Sequence, residues 1–413
     1  MKVIYNNCCG IDVHKTFLIA TIIKTTGRKI DYLKKRFSTH NKDILRFKQW
    51  LTQHECYDLC MESTGKYWIP VFNLLEDNMN VVIANPKWVR AVKGNKDDKK
   101  DSKWIGELFR LGLVPSSFIP PKDIRILREL TRYRYKLVST RSSEKNRFQN
   151  SFTVCNIALD SVVSDMFGVS ASAISNYILT SDTFDSDHCV SLLKGRLKKK
   201  SDEVIESIDG YHMMQPQKDR ALIIRQHIDY LNQMIATIDA YLDELIQPYE
   251  PLVKLLCSIP GVKRQSAIII ISEIGSDMSV FGDQKKISSW AGLAPSSNES
   301  AGKKKSVKIS RAGVYLKPAL VQVAHAAKKS TTTPYYKIKF DRIAKRRGKK
   351  RAIIAISRMI LVAIYHMIQT GELWNPIDLI TIDTPEHILQ RKKDKAIKEA
   401  TKLLIKEGIL KVS

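Results

Sequence analysis

The stretch CCGIDVHKTFLIATII (8–23) holds two β-rich runs, 8–13 and 17–23, parted by His14-Lys15-Thr16, which reads as a hairpin turn. Asp12 stands near the end of the first run, a charge placed where an apolar strand stops. Working outward, 30–37 predicts a third strand. Residues 41–54 have helical spacing through Ile44, Phe47 and Leu51, with Thr39 or Asn41 as the cap. A short strand over 58–61 leads to Glu62, 67–78 is helical, and NVVIA (80–84) is a buried parallel strand ended by Asn85-Pro86. A helix over 101–113 follows. Periodicity alone gives α/β. Three strands, helix, strand, helix, strand, helix is the order of an RNase H-like fold.

Four acids stand at the ends of these elements. Asp12 lies in GIDVHK (10–15), Glu62 in CMESTGKYW (60–68), and Asp98 and Asp101 in KDDKKDSKWIGEL (96–108). Asp98 and Asp101 are spaced i, i+3 at a helix start, so both carboxylates face one way. Carboxylates converging from two strands and a helix are what paired Mg²⁺ ions need to clamp the attacking and leaving oxygens of a phosphodiester. This predicts cutting or joining of nucleic acid. His14 and Lys15 read as phosphate contacts or as an exposed turn. Tyr67 and Trp68 read as base-stacking or core residues.

Charge agrees. The 413 residues carry 68 Lys+Arg against 42 Asp+Glu, a net charge of +26 and a pI near 9.7. The cations concentrate in LKGRLKKK (193–200), GKKKSVKISR (302–311) and RIAKRRGKKR (342–351). Such clusters bind phosphates without regard to sequence. Seven cysteines, at 8, 9, 56, 60, 155, 189 and 257, are odd in number and lack zinc-ribbon spacing, which predicts reduced thiols in a cytoplasmic, nucleoid-associated protein. The N-terminus shows no signal-peptide core. The most apolar later stretch, 352–368, is interrupted by Arg358 and predicts no membrane span.

Residues 122–152 read as one long basic helix with Leu127, Leu130, Leu137 and Val138 apolar, and 153–212 as short helices with a polar break at 181–188. Ala221, Ile224, Ile228, Leu231, Ile235, Ile238, Leu242 and Leu245 recur at threes and fours, a coiled-coil seam. Its partner is either another protomer or, as favoured here, the 122–152 helix, in a hairpin that also serves assembly. In LCSIPGVKRQSAIIIISEIG (256–275), Pro260-Gly261 parts two apolar helical segments. That turn either aims backbone N–H groups at a phosphate or serves packing alone.

Taken together these segments resemble the DEDD transposases of the insertion-sequence-110 family, also described as bridge-RNA-guided recombinases. The resemblance covers most of 8–150 and 251–330. It rests on G-I-D-V-H-K, M-E-x-T-G-x-Y-W, D-x-x-D-[AS]-x-W-[IL]-x-x-L, the helix LRELTRYRYKLVSTRSSEKNRFQ (127–149), the I-P-G-V turn, W-A-G-L-A-P and I-S-x-x-G.

The resemblance implies a RuvC-like (RNase H fold) domain over 1–120 holding Mg²⁺, or Mn²⁺, through Asp12, Glu62, Asp98 and Asp101. Long helices and a coiled coil would follow over 121–250, a mainly α transposase domain over 251–375, and a basic tail over 376–413. By motif position the nucleophile is Ser300, in PSSNESAGK (295–303), with Ala301 where the family has glycine. Asp97 replaces a common threonine, and spacing to Asp101 and Trp104 selects Asp98 as the ligand. Lys303, Lys304, Lys305, Lys308 and Arg311 are expected on DNA phosphates. The partners implied are donor and target DNA, a guide RNA and further copies of the chain, as dimer or tetramer. A covalent serine intermediate conserves bond energy, in keeping with the absence of a Walker-type G-x-x-x-x-G-K-[ST] motif. The competing reading is a Holliday-junction-resolvase-like nuclease that uses the four carboxylates with water as nucleophile. A third is a binding protein without activity, against which the four intact acids argue.

Overall fold

The computed structural model describes residues 2–63, 65–86, 98–181, 183–295, 298–300, 303–306, 308–376, 378, 390–391, 393–395, 397–398 and 400–401, with backbone only at 98–100, 298–300 and 303–306. The chain forms two compact units, Met1–Ile119 and Pro120–Ser413.

The first unit is built on β1 (Asn7–Val13), β2 (Phe17–Thr26), β3 (Lys29–Ser38), α1 (Asn41–Gln53), β4 (Asp58–Glu62), α2 (Trp68–Leu75), β5 (Asn80–Ala84) and α3 (Asp98–Arg110). The sheet order is β3-β2-β1-β4-β5, with β1, β2 and β3 antiparallel and β1, β4 and β5 parallel. This mixed five-stranded sheet is compatible with an RNase H-like domain. Cys9, Ile11 and Val13 point to a core shared with Ile44, Phe47, Trp50 and Leu51 of α1 and Val71, Phe72 and Leu75 of α2. Full burial of each large apolar side chain there contributes roughly 1.5–3 kcal/mol. Cys8, Ile23, Cys60 and Ala84 meet Ile105 and Phe109 of α3 in a second cluster. The edge strand β3 exposes Lys34, Lys35 and Arg36, charges that keep a free strand edge from pairing with another chain.

Neither expected residue caps α1. His40 holds the N-cap position, Asn41 is already helical, and the Thr39 hydroxyl donates instead to the Lys15 carbonyl at 2.8 Å. All seven cysteines are free thiols, and burial pushes Cys8, Cys56 and Cys60 up to about 12.

In the second unit α4 (Lys122–Thr153) and α9 (Gln215–Leu245) lie against each other. Their cross-pairs run in opposite directions: Arg134 with Asp239, Arg141 with Asn232, Glu144 with His227, and beyond the end of α9 Tyr249 reaches Asp123 at the start of α4. The pair is therefore antiparallel. Ala221, Ile228, Leu231, Ile235, Ile238 and Leu242 are buried, whereas Ile224 is half-buried and Leu245 exposed. Between the long helices sit α5 (Leu159–Val162), α6 (Val169–Thr180), α7 (Ser186–Ser191) and α8 (Ser201–Glu206), around Phe148, Phe152, Ile174 and Ile178. The expected break at 181–188 ends early, because the Asp185 carboxylate accepts from the Asp187 and His188 N–H groups and starts α7.

The remainder is α10 (Glu250–Cys257), α11 (Arg264–Ile274), α12 (Gln284–Trp290), the hairpin β6 (Asn298–Ser300) and β7 (Lys303–Ser306), α13 (Leu316–Ala327), α14 (Tyr335–Arg347) and α15 (Lys349–Thr370). α15 is long and apolar enough to cross a membrane by length and composition alone, a test that a buried core helix also passes. Its Ala352, Ile356, Ile360, Leu361 and Ile364 are buried inside the unit.

Candidate active site

Glycine sets the geometry of the acidic end of the sheet. A Cβ on Gly10 would lie 2.1 Å from the Ser102 carbonyl oxygen and 2.3 Å from the Gly106 nitrogen, so α3 rests directly on β1. Beside this contact the Thr21 and Ser102 hydroxyls, both buried, hydrogen-bond at 2.8 Å. Asp12 is two residues beyond Gly10 and so projects from the same face, toward α3. The parallel ladder pairs Ile11 with Met61, which leaves Asp12 and Glu62 next along their strands.

The electrostatics report the same neighbourhood. The Asp12 carboxyl is raised above its ordinary value, first by burial and further by the negative charges of Asp101 and Glu62, while His14 pulls it down. His14 Nε2 lies 3.0 Å from Asp12 Oδ2, and its ring packs on Phe17, whose other contact is the Arg36 guanidinium at 4.0 Å. Sequence reasoning missed this pairing. Its signal was the i, i+2 spacing, which puts both side chains on one side of the chain. Lys15 is exposed.

Asp12, Glu62 and Asp101 are thus electrostatic neighbours, and Asp98 opens α3 one turn before Ser102, with its side chain outside the described residues. Asp97 also lies outside them. Among the described residues no three Asp, Glu, His or Cys side chains close on a common point. The donor set fits a hard divalent cation: it is all oxygen, and Asp12 is raised first by burial and only further by the neighbouring acids, a cost to its charged form that a cation would offset. Of the aromatic pair, Trp68 is half-buried against Phe72 in the core, whereas Tyr67 is 45% exposed.

In the second unit, the expected serine loop is a β-hairpin. Ser300 is the last residue of β6 and pairs with Lys303, Glu299 pairs with Lys304, and a bulge separates Asn298 from Glu299. The base closes through a bridge between Pro295 and Ile309. It is pinched further where Gly313, at φ +68°, approaches Ala291 so closely that a Cβ would lie 2.2 Å from its carbonyl oxygen. Lys317 Nζ donates to the Ser310 carbonyl at 2.7 Å. The side chains of Ser300, Lys303, Lys304 and Lys305 are outside the described residues; Lys308 and Arg311 are exposed.

The Pro260-Gly261 turn packs closely on a neighbouring helix. Gly261 has φ +90°, and a Cβ there would meet the Ala327 nitrogen at 2.6 Å and the Val323 carbonyl oxygen at 2.8 Å, so the turn sits against the backbone of α13.

Two family profiles match the chain. One, for DEDD transposases of the IS110 type, matches residues 9–156; the other, described as Transposase IS116/IS110/IS902 family, matches residues 253–337. Together they cover more than half of the sequence. The chain belongs to the IS110 family of transposases. Comparison with curated proteins finds no match. The transposase's first profile takes in the acidic end of the sheet and continues through α4. The second takes in the turn at Gly261 and the hairpin bearing Ser300. An IS110-family transposase is a DNA-binding enzyme that cuts and joins DNA, and the DEDD type suggests dependence on a divalent metal.

Proposed function

We propose that this transposase exchanges DNA strands through a phosphoserine intermediate on Ser300, with Asp12, Glu62, Asp98 and Asp101 as its metal ligands. The observation that carries the metal half is the crowding of Asp12 by Asp101 and Glu62 beneath α3. Burial and the two nearby acids make the charged form of Asp12 costly, and a bound cation would offset that cost. A bound Mg²⁺, or Mn²⁺, would neutralise the scissile phosphate and lower the cost of ionising a hydroxyl. His14 holds Asp12 Oδ2 in place, and the Gly10 contact fixes the height of α3 and so of Asp101.

In the proposed step the Ser300 Oγ attacks phosphorus, the serine proton passes to solvent, and the P–O bond to the leaving strand end breaks. That strand end takes up a proton as a hydroxyl. Reversal with a different strand end rejoins DNA without ATP, because the phosphodiester energy is kept in the serine ester. The basic residues Lys303, Lys304, Lys305, Lys308 and Arg311 follow Ser300 and suit the DNA backbone. A noncoding guide RNA and assembly into a dimer or tetramer, with the paired long helices as a coiled coil contributing to it, complete this reading.

The test is denaturing electrophoresis of labelled DNA after incubation with protein, flanking noncoding RNA and Mg²⁺. A slow, protease-sensitive adduct is expected, lost in Ser300→Ala. An adduct that survives Ser300→Ala but disappears in Ser296→Ala or Ser297→Ala moves the nucleophile. Free 5′-phosphate and 3′-hydroxyl ends with no adduct support the water-using nuclease.

A further inference from the structure

Among the described residues, the outward side of α15 borders an open groove. Ile354, Met359, Val362 and Ala363 recur at helical spacing as half-buried residues and floor a groove of about 1280 Å³. Its walls carry Arg347, Lys350, Arg351 and Arg358, against which Glu372 is the one acid among the described lining residues. None of these four cations forms an ion pair with a described residue. Lys349, Lys350 and Arg351 moreover fill the first turn of α15, where the helix dipole presents its positive end and favours anions. Like charges gathered there repel one another unless a polyanion lies among them. The lining also takes in Pro295 and Ile309, the bridge at the base of the Ser300 hairpin.

We propose that this groove seats an unpaired DNA strand, phosphates on the cationic rim and bases on the aliphatic floor. A duplex turns its bases inward and offers the floor nothing to bury, whereas an unpaired strand presents both charge and apolar surface. A small apolar ligand would cover Met359 and Val362 but leave the arginines unmatched. The choice of DNA over RNA rests on the reading of the adjoining hairpin as the element that cuts DNA.

The test uses the full chain without divalent metal, so that no cleavage intervenes. Fluorescence anisotropy follows an oligothymidylate of about 12 nucleotides, within the site size of such grooves, beside a duplex and an oligouridylate of equal length. Thymine is chosen because its methyl group suits an apolar floor. Val362→Asn is expected to weaken single-strand binding roughly fivefold to tenfold and to leave duplex binding unchanged. Ala363→Gln serves as the second variant if Val362→Asn unfolds. Removing Arg351 and Arg358 together should flatten the log–log salt slope by about 1.4. Photo-cross-links from 5-iodouracil in the strand should fall on peptides of 349–370. Equal losses for single strand and duplex, or cross-links confined elsewhere, overturn the proposal. So does an oligouridylate that binds more tightly and cross-links to α15. Single-strand binding that appears only after deletion of 379–413 would make the chain's own tail the occupant, which also overturns it. Because binding is read without metal, these outcomes are independent of whether Ser300→Ala abolishes the adduct.

Discussion

Gly10 and Gly106 meet backbone to backbone, and a Cβ on Gly106 would stand 3.1 Å from the Gly10 nitrogen. The contact is asymmetric. The nearest obstacle to a Gly106 methyl is the Ile23 Cδ1 atom at 2.8 Å, the end of a flexible side chain; a Gly10 methyl meets backbone at 2.1 Å. Gly106→Ala should therefore cost roughly 1–3 kcal/mol, as overpacking does. Gly10→Ala should cost more and lift α3 off the sheet, carrying Asp101 away from Asp12. Urea unfolding together with a strand-cleavage assay checks both. Gly10→Ala that cleaves like the wild type would show that the height of α3 does not govern the acids.

Asp12→Asn is expected to raise the melting temperature of the metal-free protein near pH 7 while abolishing cleavage. The carboxyl titrates higher when folded than its ordinary 3.8, so the folded state holds the extra proton. Its contribution to stability is complete below the ordinary carboxylate range and is lost as pH rises through the raised value, which makes the ionised carboxylate a net cost at neutral pH. The gain should be roughly 2–4 °C by scanning calorimetry and should vanish near pH 3. A variant that melts lower than wild type at pH 7 in the absence of metal contradicts the assigned crowding.

Mg²⁺ or Mn²⁺ should stabilise the wild type, by about 2.7 kcal/mol at a hundred times the dissociation constant. Asp12→Ala, Glu62→Ala, Asp98→Ala and Asp101→Ala should each lose most of that increment, measured as the shift in Tm on adding the ion. An increment kept by Asp98→Ala and lost by Asp97→Ala would exchange the two aspartates.

Gly261→Ala should destabilise the second unit without changing how DNA affinity depends on salt. Both the φ of +90° and the 2.6 Å approach to the Ala327 nitrogen oppose a side chain. Loss of one unit or so of salt slope in a folded variant would restore the phosphate-binding reading of this turn.

Arg132 and Glu273 form a two-point ion pair at 2.7 and 2.8 Å, joining α4 to α11, with Glu273 side chain 4% and Arg132 38% exposed. Arg132→Ala leaves a buried carboxylate without its partner and should cost roughly 2–3 kcal/mol, toward the low end for such pairs because the arginine is partly solvated. Glu273→Gln should cost less. A double-mutant cycle by urea unfolding separates the pair from its surroundings.

Much of the first unit was legible in order and type. Short β-rich apolar runs gave the strands, because β1 and β2 are covered on both faces and so read as nearly continuous apolar segments. The i, i+3 spacing put Asp98 and Asp101 on one helix start, because that is a property of the helix alone. Tertiary structure was needed wherever the deciding contact lay far along the chain. The cap of α1 went to neither expected residue because Thr39 found the Lys15 carbonyl. The packing of the Gly261 turn came from α13, more than fifty residues later, which lies against it. The crowding of Asp12 depends on a glycine contact that places α3 against β1, and no local pattern encodes the height of a helix over a sheet. The same holds for the groove side of α15. Its sequence is apolar nearly all round, and only the packing of its neighbours decided which residues became core and which were left to line a groove.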